Sequence, residues 1–266
     1  MLKTVRVLAE NGPVRVELAR SEGRLVVVKR LFGFHPELER RLVREAEVVR
    51  KLDHPNILPL LEARDGALIY PYVPGVSLAT ALEAGRLTAP RAICVARGIL
   101  QALAYAHRRG IIHNDVKPGN VILRGERVLL FDFGFAKDVG LAAITESQTA
   151  LGTPSYMAPE QFAGQRSDPR SDLYAVGALS YHALAGQPPY GRDVLRVLLG
   201  DRTVPLAPLP KDASAAWPWL SQALAWEVSD RFADAKAMLR ALPTGVPTNG
   251  ASVSANVPGA RQRTPA

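Results

Sequence analysis

The chain holds 266 residues, 47% of them hydrophobic, with a formal net charge of +8 and a single cysteine; this suits one large domain or two lobes and excludes an internal disulfide framework. It opens without an apolar signal-peptide core, and no run approaches the ~18 apolar residues that span a bilayer, so a cytoplasmic protein without membrane insertion is expected. The basic residues are scattered among acids, as in RRLVREAEVVRK from 40 to 51, which argues against the aromatic-interleaved basic patch of a specific nucleic-acid binder.

From residue 4 to 30 apolar and polar residues alternate, through Val5 and Val7, then Val14, Val16 and Leu18, then LVVVK. Gly12-Pro13 and Glu22-Gly23 punctuate the pattern, which predicts three antiparallel strands. Lys29 closes the third, and an amine at the end of a buried strand needs an anion. The next segment, about Pro36 to Leu52, carries Leu38, Leu42, Val49 and Leu52 at helical spacing. Glu45 falls on that same inward stripe, where a carboxylate is unusual, whereas Glu47 points elsewhere as an ordinary solvated acid. Glu45 is the candidate partner of Lys29.

HPNIL, His54 to Leu58, reads as an exit from that helix into a strand. ALIYPYVPGVSL, Ala67 to Leu78, reads on its residues alone as an edge strand stopped by two prolines. From Ala89 to Arg109 the positions Ile93, Ala96, Leu100, Leu103 and His107 keep helical period. That predicts a core helix, with His107 structural and Cys94, on the apolar stripe, a packed thiol.

Polar chemistry concentrates in HNDVKPGNVILRGERVLLFDFG, His113 to Gly134. Asp115, Lys117 and Asn120 lie close together, with Pro118 and Gly119 forbidding a helix between them. NVIL, a turn signal at Arg124-Gly125-Glu126, and VLLF predict a short buried hairpin that returns Asp132 towards the Asp115 loop. Two carboxylates, an amide and an amine converge beside an apolar hairpin. Burying them is costly unless they bind something. Mg²⁺ with phosphate suits the set, because Mg²⁺ takes few carboxylate or amide oxygens and leaves room for phosphate oxygens.

Residues 135 to 157 are rich in Thr, Ser and Ala without strong periodicity, and so long a loop inside a domain is usually functional. SDLYAVGALSYHALAG predicts a second buried helix, with Asp172 at its start an N-cap candidate on propensity. Residues 243 to 266 read as a disordered tail containing Pro, Ser and Thr.

HNDVKPGN, DFG (Asp132-Phe133-Gly134) and APE (Ala158-Pro159-Glu160) resemble the catalytic loop, metal loop and activation-segment end of the eukaryotic-type serine/threonine protein kinases of bacteria. The resemblance covers about residues 4 to 242. It implies an α+β, two-lobed fold: a small β-rich N-lobe over about 4–70, a hinge at 70–76 and a mainly helical C-lobe over 77–242. It implies transfer of the ATP γ-phosphoryl group to protein Ser or Thr hydroxyls, autophosphorylation included, with Mg²⁺ or Mn²⁺ as the metal and a dimer as one route to autophosphorylation. Asp115 would accept or orient the hydroxyl proton, Lys117 would neutralise the moving phosphoryl group, and Asn120 and Asp132 would hold the metal. Lys29, held by Glu45, would position the phosphates. Leu8, Val16, Val27, Pro71, Val73 and Ile122 would surround the nucleotide, with Tyr70 as gatekeeper. Asp172 would hold the catalytic-loop backbone, Arg231 would pair with Glu160, and Thr153 would face the substrate. Thr145, Ser147 and Thr149 are candidate phosphate acceptors.

The chain departs from the family pattern in three places. Ala9, Asn11 and Val14 occupy the three glycine positions of the phosphate loop, with Gly12 one place out of register. Val27 stands where a small alanine usually meets the adenine. Asn114 precedes Asp115 where many kinases carry an arginine that binds an activation-segment phosphate. The first two support a rival reading as a pseudokinase scaffold that binds nucleotide or partners without turnover; the intact Lys29, Asp115 and Asp132 oppose it. A small-molecule phosphotransferase of similar fold is a third reading, opposed by the peptide-docking stretch GTPSYMAPE.

Overall fold

A computed structural model of the chain describes residues 2–133, 154–165 and 168–244. Gly134, Thr145, Ser147, Thr149, Thr153 and nearly all of the predicted tail lie outside the described residues.

The N-terminal lobe is a five-stranded antiparallel sheet with one helix. Its elements are β1 (Lys3–Asn11), β2 (Val14–Ser21), β3 (Arg24–Leu31), helix α1 (Pro36–Val49), β4 (Glu62–Arg64) and β5 (Ala67–Pro71), in sheet order β1-β2-β3-β5-β4. The pleat sorts β3 by parity. Val26 and Val28 cluster with Ala19, Ala67 and Ile69 on one face. Val27 and Lys29 therefore take the other face, where Leu68 and Tyr70 join Leu42, Ala46 and Val49 of α1 in the main core. Pro36 opens α1, and Glu37 and Glu39 in its first turn suit the positive end of the helix dipole. The helix stops at Val49, short of the expected Leu52, which is nonetheless buried.

HPNIL does not run into a strand. Pro55 and Pro59 withhold two donors, and the contact shrinks to a parallel bridge between Ile57 and Leu130, with Leu58 N–H donating to Leu130 O at 3.0 Å. The β4–β5 hairpin follows, turning at Asp65-Gly66. That Asp-Gly pair is itself a hairpin signal.

The C-terminal lobe is mainly helical. It holds β6 (Val76–Ser77), α2 (Leu78–Glu83), α3 (Ala89–His107), β7 (Val121–Arg124), β8 (Arg127–Leu130), α4 (Pro159–Phe162), α5 (Pro169–Ala185), α6 (Val194–Leu198), α7 (Trp217–Ala223) and α8 (Ala235–Arg240). The strands form a second sheet in the order β6-β7-β8. Ile99, Leu100 and Leu103 of α3 pack with Leu173 and Leu179 of α5 and with Leu220 and Met238, all without exposed surface. Truncating one of these to alanine costs about 2–5 kcal/mol. A Cβ at Gly98 would lie 2.7 Å from Val128 Cβ, so glycine lets α3 approach the β7–β8 hairpin closely. The arrangement is α+β and two-lobed, as expected. The N-cap expected at Asp172 is corrected: α5 begins at Pro169, and Asp168 caps it by accepting the Arg170 N–H at 2.8 Å. Proline is favoured in the first helical turn, which moves the start upstream of Asp172.

Candidate active site

The loop from His113 to Asn120 is shaped by backbone hydrogen bonds to a distant side chain. Asp172 accepts the His113 N–H through Oδ2 at 2.9 Å and the Asn114 N–H through Oδ1 at 2.8 Å. Its Oδ2 also lies 2.8 Å from His107 Nε2. His107 is thus structural. Asn114 takes a left-handed φ of 62°, which asparagine tolerates better than most residues. Pro118–Asn120 form one 3₁₀ turn, and the His113 ring lies 2.9 Å from Phe131 O and 4.6 Å, centroid to centroid, from the Phe133 ring. This ties the loop to the end of the β7–β8 hairpin.

The result is a held carboxylate. Asn120 Nδ2 donates to Asp115 O at 2.8 Å and to Asp115 Oδ2 at 3.0 Å, and Lys117 Nζ approaches the same Oδ2 at 2.7 Å. Because the amide nitrogen of Asn120 is engaged, its oxygen is the end left for a cation. Asp132, just past β8, supplies a carboxylate from a left-handed φ of 67°.

Across the cleft, Lys29 Nζ lies 2.8 Å from Glu45 Oε2 and 2.8 Å from Asp132 Oδ1. Burial works against the charge on Lys29, but Asp132 and Glu45 outweigh it and raise its pKa above the ordinary lysine value. Burial likewise opposes ionisation of Asp132, yet the attraction and hydrogen bond of Lys29 hold its carboxyl below the usual range. Glu45 differs. It is only 2% exposed, and because Lys29 is shared, burial prevails and pushes it up to about 7. Tyr70 OH donates to the second oxygen, Oε1, at 2.9 Å.

The residues expected around a nucleotide fall into two groups. Val27, Val73 and Ile122 are partly buried against the main core, and Val16 is half-buried at the lip. Pro71 ends the β3–β5 ladder opposite Val26, the Tyr72 N–H still donates to Leu25 O at 3.3 Å, and the chain leaves the sheet at Val73. Leu8 is 41% exposed and forms an open edge. Between Leu8 and Val16 the ladder continues to the Asn11–Val14 pair, closed by Gly12-Pro13 with Gly12 at φ 56°. Glycine with positive φ followed by proline is the pattern of a tight two-residue hairpin turn.

Among the described residues no group of three His, Cys, Asp or Glu side chains forms an all-protein metal cage. The donors present are one carboxylate, Asp132, and one amide oxygen, Asn120. Such a sparse oxygen set fits Mg²⁺, which completes its shell with water and phosphate.

Below the cleft, Glu160 pairs with Arg231 at 2.7 and 2.8 Å. Gln161 bridges this region to the loop: its Oε1 accepts the Ala158 N–H at 3.2 Å and its Nε2 donates to Asn114 O at 3.1 Å. The one local sign of that bridge in the sequence is glutamine at the third helical position, a known N-terminal signal. Residues 10–233 match the model of the protein kinase domain. The chain belongs to the protein kinase family.

Relatives agree. A probable serine/threonine-protein kinase of Streptomyces coelicolor is 38% identical over 70% of this chain and 30% of its own length. PknA, a serine/threonine-protein kinase of Mycobacterium tuberculosis, is 33% identical over 95% of this chain and 65% of its own. The chain therefore spans about a third of one curated relative and two thirds of the other. The crystal structure of the Mycobacterium tuberculosis PknI kinase domain superposes with a TM-score of 0.69 at 32% identity, covering 91% of this chain and 94% of that one. As a member of the kinase family, the chain is expected to use ATP and a divalent metal. No helix among the described residues is long and apolar enough to cross a membrane.

Proposed function

We propose that this kinase domain, over about residues 4–242 with its lobes joined at 70–76, transfers the γ-phosphoryl group of ATP to Ser and Thr hydroxyls of proteins, itself included. The observation that carries this reading is that Lys29 and Glu45 of the N-lobe meet Asp132 of the C-lobe beside the Asp115–Lys117–Asn120 cluster. The Phe131 N–H joins that cluster by donating to Asn120 O at 3.1 Å.

Asp115 is the group that accepts or orients the substrate hydroxyl proton. Its carboxylate is held by Lys117 and Asn120 at 2.7 and 3.0 Å, so its direction is set before substrate arrives. Lys117 places a cation beside that carboxylate, where negative charge on the moving phosphoryl group develops. Lys29, kept charged by its two carboxylates, binds the α/β-phosphates. Asn120 and Asp132 would hold Mg²⁺, with Mn²⁺ as a substitute, and the ion would neutralise charge on the phosphate oxygens. The Pro71 carbonyl and the Val73 N–H and C=O offer backbone groups to the adenine, while Leu8, Val16, Val27 and Ile122 enclose its faces. Autophosphorylation in a transient dimer follows if one active site reaches the other copy's segment.

The test is incubation with labelled ATP and Mg²⁺ on a generic protein substrate, beside Asp115→Asn. Transfer by the wild type and a loss of roughly 10²–10⁴-fold in the variant are expected. Nucleotide binding without transfer would instead favour the scaffold reading.

A further inference from the structure

Tyr70 lies in β5, opposite Val27 of β3 in the ladder, and is 7% exposed. Its hydroxyl donates to Glu45 Oε1 at 2.9 Å in a fully buried contact between residues 25 apart in the chain. Lys29 takes the other oxygen, Oε2, at 2.8 Å. Glu45 is therefore held from two strands at once.

The two holds differ in kind. The Lys29 amine is divided between Glu45 and Asp132, both at 2.8 Å, and it is the group that must turn to phosphate. The Tyr70 hydroxyl is committed to Glu45. Burial raises the phenol pKa far above its ordinary value, so it remains a donor wherever the protein is folded. Within α1, Leu42, Ala46 and Val49 accompany Glu45 in the interior, while Pro36, Glu37 and Glu39 of the first turn are exposed. A buried carboxylate left with one unsatisfied oxygen is costly, which ties the position of α1 to this hydroxyl.

We propose that Tyr70 is a positioning residue: its hydroxyl holds Glu45, and with it α1, in the place from which Glu45 orients Lys29 before nucleotide binds. This rests on the reading above in which Lys29 binds phosphate. A chain lacking a cation before Asp115 thus carries an internal device for ordering the N-lobe half of the site.

Tyr70→Phe removes only the hydroxyl and keeps the ring that borders the nucleotide site. Calorimetry with ATP and adenosine separates positioning from packing, since adenosine has no phosphate for Lys29 to hold. Tyr70→Phe is expected to bind ATP about tenfold more weakly, the scale of one hydrogen bond to a charged group, with a clearly smaller loss for adenosine. In a Glu45→Ala background Tyr70→Phe should have no further effect on ATP. Equal losses for ATP and adenosine, an unchanged ATP affinity, or a full loss persisting in Glu45→Ala would each overturn the proposal. These binding measurements do not require turnover. A wild type that fails to transfer phosphate would sink the kinase reading while leaving the Tyr70 result to be read independently.

Discussion

Glu160 and Arg231, 71 residues apart, meet in the interior through two parallel charge-assisted hydrogen bonds of 2.7 and 2.8 Å. Arg231 also donates to Ala225 O, Trp226 O and Arg170 O, so five hydrogen bonds match its five N–H groups. Ser171 Oγ donates to Glu160 Oε1 at 2.5 Å. One guanidinium thus links the segment ending in APE to the start of α5 and to the chain after α7.

Arg231→Ala should cost about 3–5 kcal/mol, because it leaves a buried carboxylate uncompensated. Urea denaturation checks this, and a well-packed apolar replacement of both partners should recover much of the loss. Burial alone would raise the Glu160 pKa, but the hydrogen bonds from Arg231 and Ser171 hold it below its ordinary 4.5. Its contribution to stability is therefore present above about 4.5 and lost as pH falls through the lower folded value. Glu160→Gln should remove that part of the acid sensitivity; an unchanged acid profile would count against it.

Lys29→Met and Glu45→Gln should each lower kcat/KM by roughly a hundredfold, and the double variant by little more, because the two act as a unit. Additive losses would show that they do not. Glu45 is raised to about 7 and must ionise to hold Lys29. Activity should therefore rise through an acid limb near pH 7. Stability takes the opposite sign: between 4.5 and about 7 the folded protein keeps a proton that the unfolded chain has released, so stability falls as pH rises across that window. Glu45→Gln should abolish this slope.

The β1–β2 hairpin closes at the tight Gly12-Pro13 turn, with side chains rather than glycines at Asn11 and Val14. Fewer backbone N–H groups can then approach phosphate closely. ATP is expected to bind more weakly than in kinases whose phosphate loop keeps its glycines, because backbone contacts to the phosphates are fewer. Asn11→Gly with Val14→Gly should tighten ATP but not adenosine, while weakening the hairpin by about 0.5–1 kcal/mol per site. If ATP already binds far tighter than adenosine and the glycines change nothing, the hairpin is not the weak point.

Asn114 carries no charge, its backbone N–H is engaged by Asp172, and its Oδ1 is buried without a hydrogen-bond partner among the described residues. It cannot replace the guanidinium fork that would grip a phosphate. Replacing Thr145, Ser147 and Thr149 together by alanine, or treating the enzyme with phosphatase, should leave turnover on an exogenous substrate within a few-fold. A hundredfold loss, about 2.7 kcal/mol in the barrier, would mean that another cation does the arginine's work.

The elements legible in the sequence are those whose pattern is local. Alternation from Val5 to Lys29 marked β1 to β3, and helical spacing marked α1 and α3, because strand and helix periods repeat within a few residues. Asp115, Lys117 and Asn120 were readable for the same reason. The strand expected at a sheet edge from Ala67 lies between β3 and β4 instead, because β4, too short for its alternation to stand out, covers its outer side. The prolines of HPNIL reduce an expected strand to one bridge. Propensity alone makes Asp172 a helix cap, and only the family resemblance assigns it to the catalytic loop; the folded chain has it accept from the backbone of His113 and Asn114, 59 and 58 residues away. The same holds for Lys29 Nζ, which reaches Asp132 across 103 residues, and for the Tyr70 hydroxyl on Glu45. Periodicity states which face of an element is buried. Which groups meet there depends on how the buried faces are packed together, and only the assembled lobes decide it.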